Sequence, residues 1–173
     1  DKDMSKAVNF AFIELFNKGL IYKDKRLVNW DISLQTAISD LEVEQLEKEG
    51  DFYYLKYFIA DSSKYLEVAT TRPETLFGDQ CLAVNPKDGR YNSLIGKKVH
   101  LPLCDETIPI ISDEHVDVKK GSGVLKITPA HDFNDYKIGK KNKLKLKIVF
   151  DKNGKLNKNV PVKYQGLDRI NAR

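Results

Sequence analysis

The sequence has little cysteine and no long apolar run, and both shortages narrow the classes of protein it can encode. Cys81 and Cys104 are the only two cysteines, and they lie far apart without a C-x-x-C pair. We interpret them as small apolar residues in a reducing compartment, with a disulfide or metal site as the alternative. No stretch approaches the roughly 20 apolar residues of a membrane span, and no signal peptide opens the chain. We therefore expect no membrane association.

Several catalytic signatures are also missing. There is no G-x-S-x-G segment and no phosphate-binding glycine loop, and residues 121–123 (Gly-Ser-Gly) are typical of a tight turn before a strand. No set of histidines, cysteines and carboxylates has metal-ligand spacing, so we predict no metal.

What is present is typical of an ordinary globular domain. Of the 173 residues, 41% are hydrophobic and 31% are charged, which indicates a folded chain of one domain or one domain with a short appendage. The formal net charge of +4 permits a nucleic-acid partner without arguing for one. Residue 1 is Asp and the chain stops abruptly after residue 173, so we expect a piece of a longer protein.

Hydrophobic spacing and turn residues predict many short strands and a few helices. Helices are predicted at residues 4–17, from Pro73, and at 132–142. Strands are predicted at residues 20–22, 26–30, 52–59, 65–71, 81–84, 99–103, 108–111, 124–128 and 147–150, with a polar connector at 31–50. This pattern predicts a mixed α and β (α+β) fold, with a β-barrel core of short, mostly antiparallel strands decorated by helices.

Two polar stretches, residues 69–75 and 121–135, each run from a strand into a predicted helix start. If they lie side by side, they form a polar pocket over an apolar floor, which is our candidate active site. Asp132 and Asp135 are at the cap and third positions of the second helix, where they either only cap it or form a receptor for an ammonium group. Lys126 and Thr128 share one face of a strand, and Lys126 either enters the pocket or extends to the surface.

The remaining polar candidates are Thr70, Thr71, Arg72, Thr75 and His131. The threonines are either groups of the pocket or simply strand formers and a cap. Arg72 could hold a phosphate or an adenosine, or pair with Glu74 or Asp79. His131 is the only histidine near these groups.

The two stretches resemble, in the right order, the two signatures of the editing domain inserted in class I aminoacyl-tRNA synthetases for branched aliphatic amino acids. Residues 126–135 resemble the valine branch of that family most closely, and residues 19–44 resemble the connection from its catalytic core. The resemblance implies a helix and connector at residues 1–48, leading from the synthetase core, and an editing domain at 49–173. The zinc-binding cysteines that some members carry near Trp30 are absent, so we expect no structural zinc. The nucleotide-binding signatures of the synthetase active site are also absent, so the chain should not activate valine or charge tRNA.

The family implies hydrolysis of mischarged threonyl-tRNA(Val) by water. Asp135 would anchor the substrate ammonium, while Lys126, Thr128 and Asp132 would read the threonine hydroxyl and order the water. Arg72 and Thr75 would hold the terminal adenosine and its phosphate, with Thr70, Thr71 and His131 as further binding residues.

The implied partners are the acceptor end of tRNA(Val) and the threonyl-adenosine moiety, bound by a cytoplasmic monomer. ATP belongs to the parent synthetase, and no cofactor is expected in this chain. The lysine-rich residues 137–145 either contact tRNA or form a solvated surface. Two alternatives stay open: an isoleucyl- or leucyl-type editing domain, against which Lys126 and Thr128 argue, and a non-catalytic module that binds the tRNA acceptor end.

Overall fold

The computed structural model describes residues 1–47 and 49–173, and within them the chain forms two α-helices and eight strands. The helices are α1 (Lys2–Asn17) and α2 (Phe133–Lys141). The strands are β1 (Asn29–Asp31), β2 (Thr36–Ile38), β3 (Tyr53–Phe58), β4 (Tyr65–Thr70), β5 (Cys81–Val84), β6 (Lys98–His100), β7 (Thr107–Ser112) and β8 (Val124–Ile127). Short 3-10 helices cover Asp40–Glu42, Pro73–Gly78, Asn92–Leu94 and Val162–Tyr164.

The strands confirm the mixed α and β fold class but do not form the predicted barrel. In the described part of the chain they lie in three sheets: the hairpins β1–β2 and β3–β4, and a four-stranded sheet in the order β6-β7-β5-β8. Among these described strands, only β5 and β7 pair in parallel. An isolated bridge between Ile59 and Val99 joins the β3–β4 hairpin to β6, and one bridge cannot continue a hydrogen-bonded ladder around a closed barrel.

The core lies between the inner face of the β3–β4 hairpin and the four-stranded sheet. Tyr57 and Val68 of the hairpin are fully buried, as are Leu82 of β5 and Val99 of β6. All four residues of β5 are buried because its two faces pack into two core clusters, with Leu82 and Val84 in one and Cys81 and Ala83 in the other. Such a strand is apolar throughout instead of alternating.

The N-terminal region departs most from the sequence predictions. Helix α1 is confirmed, yet none of its residues is buried. The strand predicted at residues 20–22 is absent from the structure, and the first hairpin pairs Asn29–Asp31 with Thr36–Ile38, inside the predicted connector. The β1–β2 hairpin forms because Asp31 stabilises the turn between its strands: the side chain accepts hydrogen bonds from the backbone N–H groups of Ser33 and Leu34.

One smaller prediction near the end of the chain also changed. The strand predicted at residues 147–150 is reduced to a single bridge between Phe150 and Leu156, on either side of a turn in which Gly154 N–H donates to the Asp151 carbonyl. Neither helix of the described residues has the length and apolar character that crossing a membrane requires.

Candidate active site

A buried polar cluster lies where β8 passes the 3-10 helix Pro73–Gly78, and Lys126 is at its centre. The Lys126 ammonium donates to the hydroxyls of Thr75 (2.8 Å) and Thr128 (2.6 Å) and to Oδ1 of Asp79 (2.9 Å). Only 7% of Lys126 is exposed. The ammonium therefore turns inward, and the alternative in which Lys126 extends along the surface is wrong.

Asp79 is the member of this cluster that the sequence analysis did not select as a site residue. Its Oδ1 accepts from Lys126 and from the Thr128 hydroxyl (2.5 Å), and its Oδ2 accepts from the Tyr57 hydroxyl (2.7 Å). Burial, together with the charge of Asp79, raises the pKa of Tyr57 well above its usual range, so the phenol stays protonated and donates. Asp79 thus has three donors around one buried carboxylate.

Asp135 connects the start of α2 to this cluster. Its Oδ2 accepts the backbone N–H of Thr128 at 2.8 Å, and the side chain of Asp132 caps α2 by accepting from the N–H groups of Asn134 and Asp135. Burial raises the pKa of Asp135 to about 6, although the hydrogen bond from Thr128 opposes the shift. At neutral pH Asp135 is still mainly ionised.

Arg72 bridges the two polar stretches. Its Nη1 donates to the carbonyl of His131 at 2.6 Å, and its Nε lies 3.9 Å from Glu74. Glu74 is instead bound on both oxygens by Arg173, at 3.0 Å each. The Arg72 side chain is 46% exposed, so its guanidinium is accessible from solvent.

The threonines of the first stretch have different positions. Thr75 is buried and its hydroxyl donates to the Arg72 carbonyl at 2.9 Å, while also accepting from Lys126. Thr70 accepts the backbone N–H of Arg72 at 3.1 Å, which shapes the turn after β4. Thr71 is exposed. Only Thr75 of the three therefore joins the Lys126 cluster.

The His131 ring is held by protein contacts. Its Nε2 accepts the backbone N–H of Val149 at 3.0 Å, and the ring packs edge-on against Phe150. Burial, with the positive charges of Arg72 and Lys126, lowers the pKa of His131 to about 4. The ring is therefore neutral at physiological pH, and its role as a binding residue stays a prediction.

At Gly78 the backbone of the 3-10 helix lies close to Thr128 and His131. A Cβ at this position would lie 3.0 Å from the Thr128 methyl group and 3.4 Å from the His131 ring. The absent side chain lets the 3-10 helix pack directly against the two residues that lead from β8 to α2.

The arrangement therefore combines three chemical capabilities within a few side chains. A buried ammonium and two hydroxyls can discriminate polar from apolar groups. A carboxylate with a pKa of about 6 can bind an ammonium group or accept a proton. The half-exposed guanidinium of Arg72 can bind a phosphate.

Comparison with known proteins defines the class to which the chain belongs. The family described as tRNA synthetases class I (I, L, M and V) matches residues 1–162, and the chain belongs to this family. Within it, the whole chain is 54% identical to the valine--tRNA ligase of Legionella pneumophila (strain Lens) and 55% identical to that of Coxiella burnetii (strain RSA 493 / Nine Mile phase I). The chain covers 19% of each ligase, so it spans about a fifth of the length of these relatives.

A solved structure, the ternary complex of Agrobacterium radiobacter K84 agnB2 LeuRS with tRNA and LeuAMS, is also similar. It has a TM-score of 0.49 and 19% identity, over 56% of this chain and 16% of that chain.

Proposed function

We propose that the chain is the editing domain of a valine--tRNA ligase and that it hydrolyses the ester of threonyl-tRNA(Val). The observation that carries the proposal is the buried cluster of Lys126, Thr75 and Thr128 beside the carboxylate of Asp135. Identity of 54% over the whole chain with a valine--tRNA ligase supports the choice of amino acid.

The selectivity problem explains why such a cluster is needed. Valine and threonine have nearly the same shape, and an apolar pocket rejects an isosteric hydroxyl poorly. The hydroxyl oxygens of Thr75 and Thr128 each accept one hydrogen bond, from Lys126, and can accept a second one from threonine that valine cannot donate. Such a bond contributes about 0.5–1.5 kcal/mol, which favours hydrolysis of the threonyl ester over the correct product.

The reaction requires only water. The water oxygen attacks the carbonyl carbon of the ester, the bond between that carbon and the ribose oxygen breaks, and a proton from the water ends on the ribose oxygen. Asp135 anchors the substrate ammonium and holds the ester in position for attack. Lys126, Thr128 and Asp132 read the threonine hydroxyl and order the water. Asp132 serves as a positioning group because its oxygen Oδ1 already caps α2.

Binding of the tRNA end completes the proposal. Arg72 and Thr75 hold the terminal adenosine and its phosphate, with Thr70, Thr71 and His131 as further binding residues. The partner is the acceptor end of tRNA(Val), bound by a monomer in the cytoplasm, and no cofactor takes part in this step. We propose residues 1–48 as the connection to the synthetase core and 49–173 as the editing domain.

The test is a deacylation assay on threonyl-tRNA(Val) and valyl-tRNA(Val), comparing wild type with Asp135→Asn. We expect faster hydrolysis of the threonyl ester and a loss of roughly 100-fold in the variant, because the substrate would no longer be held in position. Asp113→Asn is the matched control, since Asp113 is also buried and contacts the opposite end of α2 through Lys141.

The outcomes separate the competing functions. Equal hydrolysis of both esters, or an unimpaired Asp135→Asn variant, contradicts the proposal. Binding of tRNA(Val) without hydrolysis would instead support a non-catalytic module for the acceptor end. Preference for a mischarged isoleucine or leucine tRNA would move the chain to another branch of the family.

A further inference from the structure

Asp79 lies beneath the candidate active site and has no part in the reaction proposed above. We propose that Asp79 is a positioning residue that holds the Lys126 ammonium and the Thr128 hydroxyl in one orientation, with Tyr57 fixing the carboxylate from behind. This inference rests on the proposed function of the site. Both oxygens of Asp79 are occupied by donors of the protein, so it acts through its neighbours and not by touching substrate.

The hydrogen-bond count supports this assignment. An ammonium has three hydrogens, and Lys126 has three acceptors within 2.9 Å: Thr75, Thr128 and Asp79. Asp79 is the only one of these three that carries a negative charge. It is therefore the group that compensates the charge of Lys126 in a site where solvent does not.

Asp79 also reaches the helix start through Thr128. It accepts the Thr128 hydroxyl, and the backbone N–H of the same residue holds Asp135. Displacement of Thr128 would therefore move the carboxylate that anchors the substrate ammonium. Asp79 thus orients two separate parts of the site, the ammonium of Lys126 and the position of Asp135.

A carboxylate is the side chain that this position requires. Asp79 accepts on both oxygens, because Lys126 and Thr128 donate to Oδ1 and Tyr57 donates to Oδ2. An asparagine has only one accepting oxygen, so its NH2 group would face either the ammonium or the phenol hydroxyl. It would also leave the Lys126 charge without a buried counter-ion.

The experiment compares Asp79→Asn and Tyr57→Phe with the control Asp88→Asn. Asp88 is a matched buried carboxylate, 4% exposed, that binds Arg90 and takes no part in the site. The first readout is kcat and KM for threonyl-tRNA(Val), together with the preference over valyl-tRNA(Val). The second is the NMR signal of the Lys126 ammonium hydrogens, which is observed only while they exchange slowly with water.

We expect Asp79→Asn to lower kcat and the threonine preference roughly 10- to 100-fold, as is typical when a partner behind a reactive group is removed, with KM changed much less. The ammonium signal should disappear in this variant. Tyr57→Phe, which keeps the ring in the core, should show the same pattern more weakly and serves if Asp79→Asn does not fold. Asp88→Asn should leave kcat and the signal unchanged.

Two results would overturn the inference. One is an unchanged kcat and threonine preference in Asp79→Asn and Tyr57→Phe while the wild type hydrolyses threonyl-tRNA(Val), which leaves the proposed function intact. The other is an ammonium signal that survives Asp79→Asn. A wild type that hydrolyses neither ester refutes the proposed function itself, and the NMR readout still tests the geometry.

Discussion

Two lysine–aspartate pairs in this molecule share a fully buried carboxylate but differ in the lysine. In the first, Lys126 and Asp79 have side chains 8% and 0% exposed, and their closest N–O distance is 2.9 Å. In the second, Lys141 and Asp113 are 61% and 0% exposed, at 3.2 Å. The acid is equally buried in both pairs, so the main difference between them is the burial of the cation.

The difference follows from where each lysine lies in the chain. Lys126 is in β8, on the face that is turned inward, so its side chain is only 8% exposed. Lys141 is the last residue of α2, so its charge reaches water along its own stem. A buried cation must be surrounded by acceptors, whereas an exposed one only adds to bonds that His115 already makes to Asp113. The first pair is therefore part of the candidate active site, whereas in the second pair the lysine only adds to the bonds that already hold Asp113.

The largest effect that tests this comparison is on stability. Lys126→Met leaves Asp79 as a buried charge without its cation, which should lower the free energy of unfolding by about 3–5 kcal/mol. Lys141→Met removes an exposed ammonium and should lower it by less than about 1 kcal/mol. Urea unfolding of the two variants and wild type at neutral pH measures both values.

The matched substitution makes the result decisive. Both variants replace lysine by the same flexible apolar side chain, so differences in propensity are small. Equal losses in the two variants would mean that burial of the lysine does not distinguish the pairs. A Lys126→Met protein as stable as wild type would show that Asp79 is adequately held by Tyr57 and Thr128 alone.

The next effect is the pH dependence of stability, which should have opposite signs at Asp135 and Asp113. The pKa of Asp135 in the folded state is about 6, against 3.8 without the fold. Its contribution to stability is therefore present below pH 3.8 and is lost as the pH rises through about 6. A shift of this size corresponds to about 3 kcal/mol. The stability advantage of wild type over Asp135→Asn should fall by most of that amount from about pH 4 to about pH 7.

Asp113 should behave in the opposite way. Burial raises its pKa, but bonds from His115 and Lys141 outweigh burial and leave the pKa below 3.8. Its contribution is present above pH 3.8 and is lost as the pH falls below that value. Unfolding curves of wild type, Asp135→Asn and Asp113→Asn across this range measure both slopes. Parallel profiles for the two variants would refute the assignment of opposite shifts.

Much of the first pair's neighbourhood could be predicted from local pattern. Alternation in β8 placed Lys126 and Thr128 on one face, and Asp132 was recognisable as the cap of α2. The partnership of Asp79 with Tyr57 and Lys126 was not predictable, because it joins residues 22 and 47 positions apart. No local rule indicates which strand will pack against which turn. For the same reason, the strand pattern did not show that the strands form three sheets and no closed barrel.

The same limit applies to charge pairing. The sequence offered Glu74 or Asp79 as partners for Arg72. In the structure Asp79 pairs with Lys126 instead. Glu74 is bound most closely by Arg173, which is 99 residues away in the sequence. These choices depend on which side chains meet in the folded chain, and no local sequence pattern records that.

The smallest effect concerns the lysines at the surface of residues 137–145. Lys140 and Lys141 pair with Asp24 and Asp113, whereas Lys137, Lys143 and Lys145 form no ion pair with the described residues. If this segment contacts tRNA(Val), the unpaired lysines should displace more counter-ions. The combined Ala variant of these three should reduce the slope of log affinity against log salt by roughly 0.7–0.9 per lysine that contacts a phosphate.

The control, Lys140→Ala with Lys141→Ala, should change the slope less, because those ammonium groups are already neutralised. A flat salt dependence in wild type, or equal slopes in all three proteins, would identify the segment as a solvated surface.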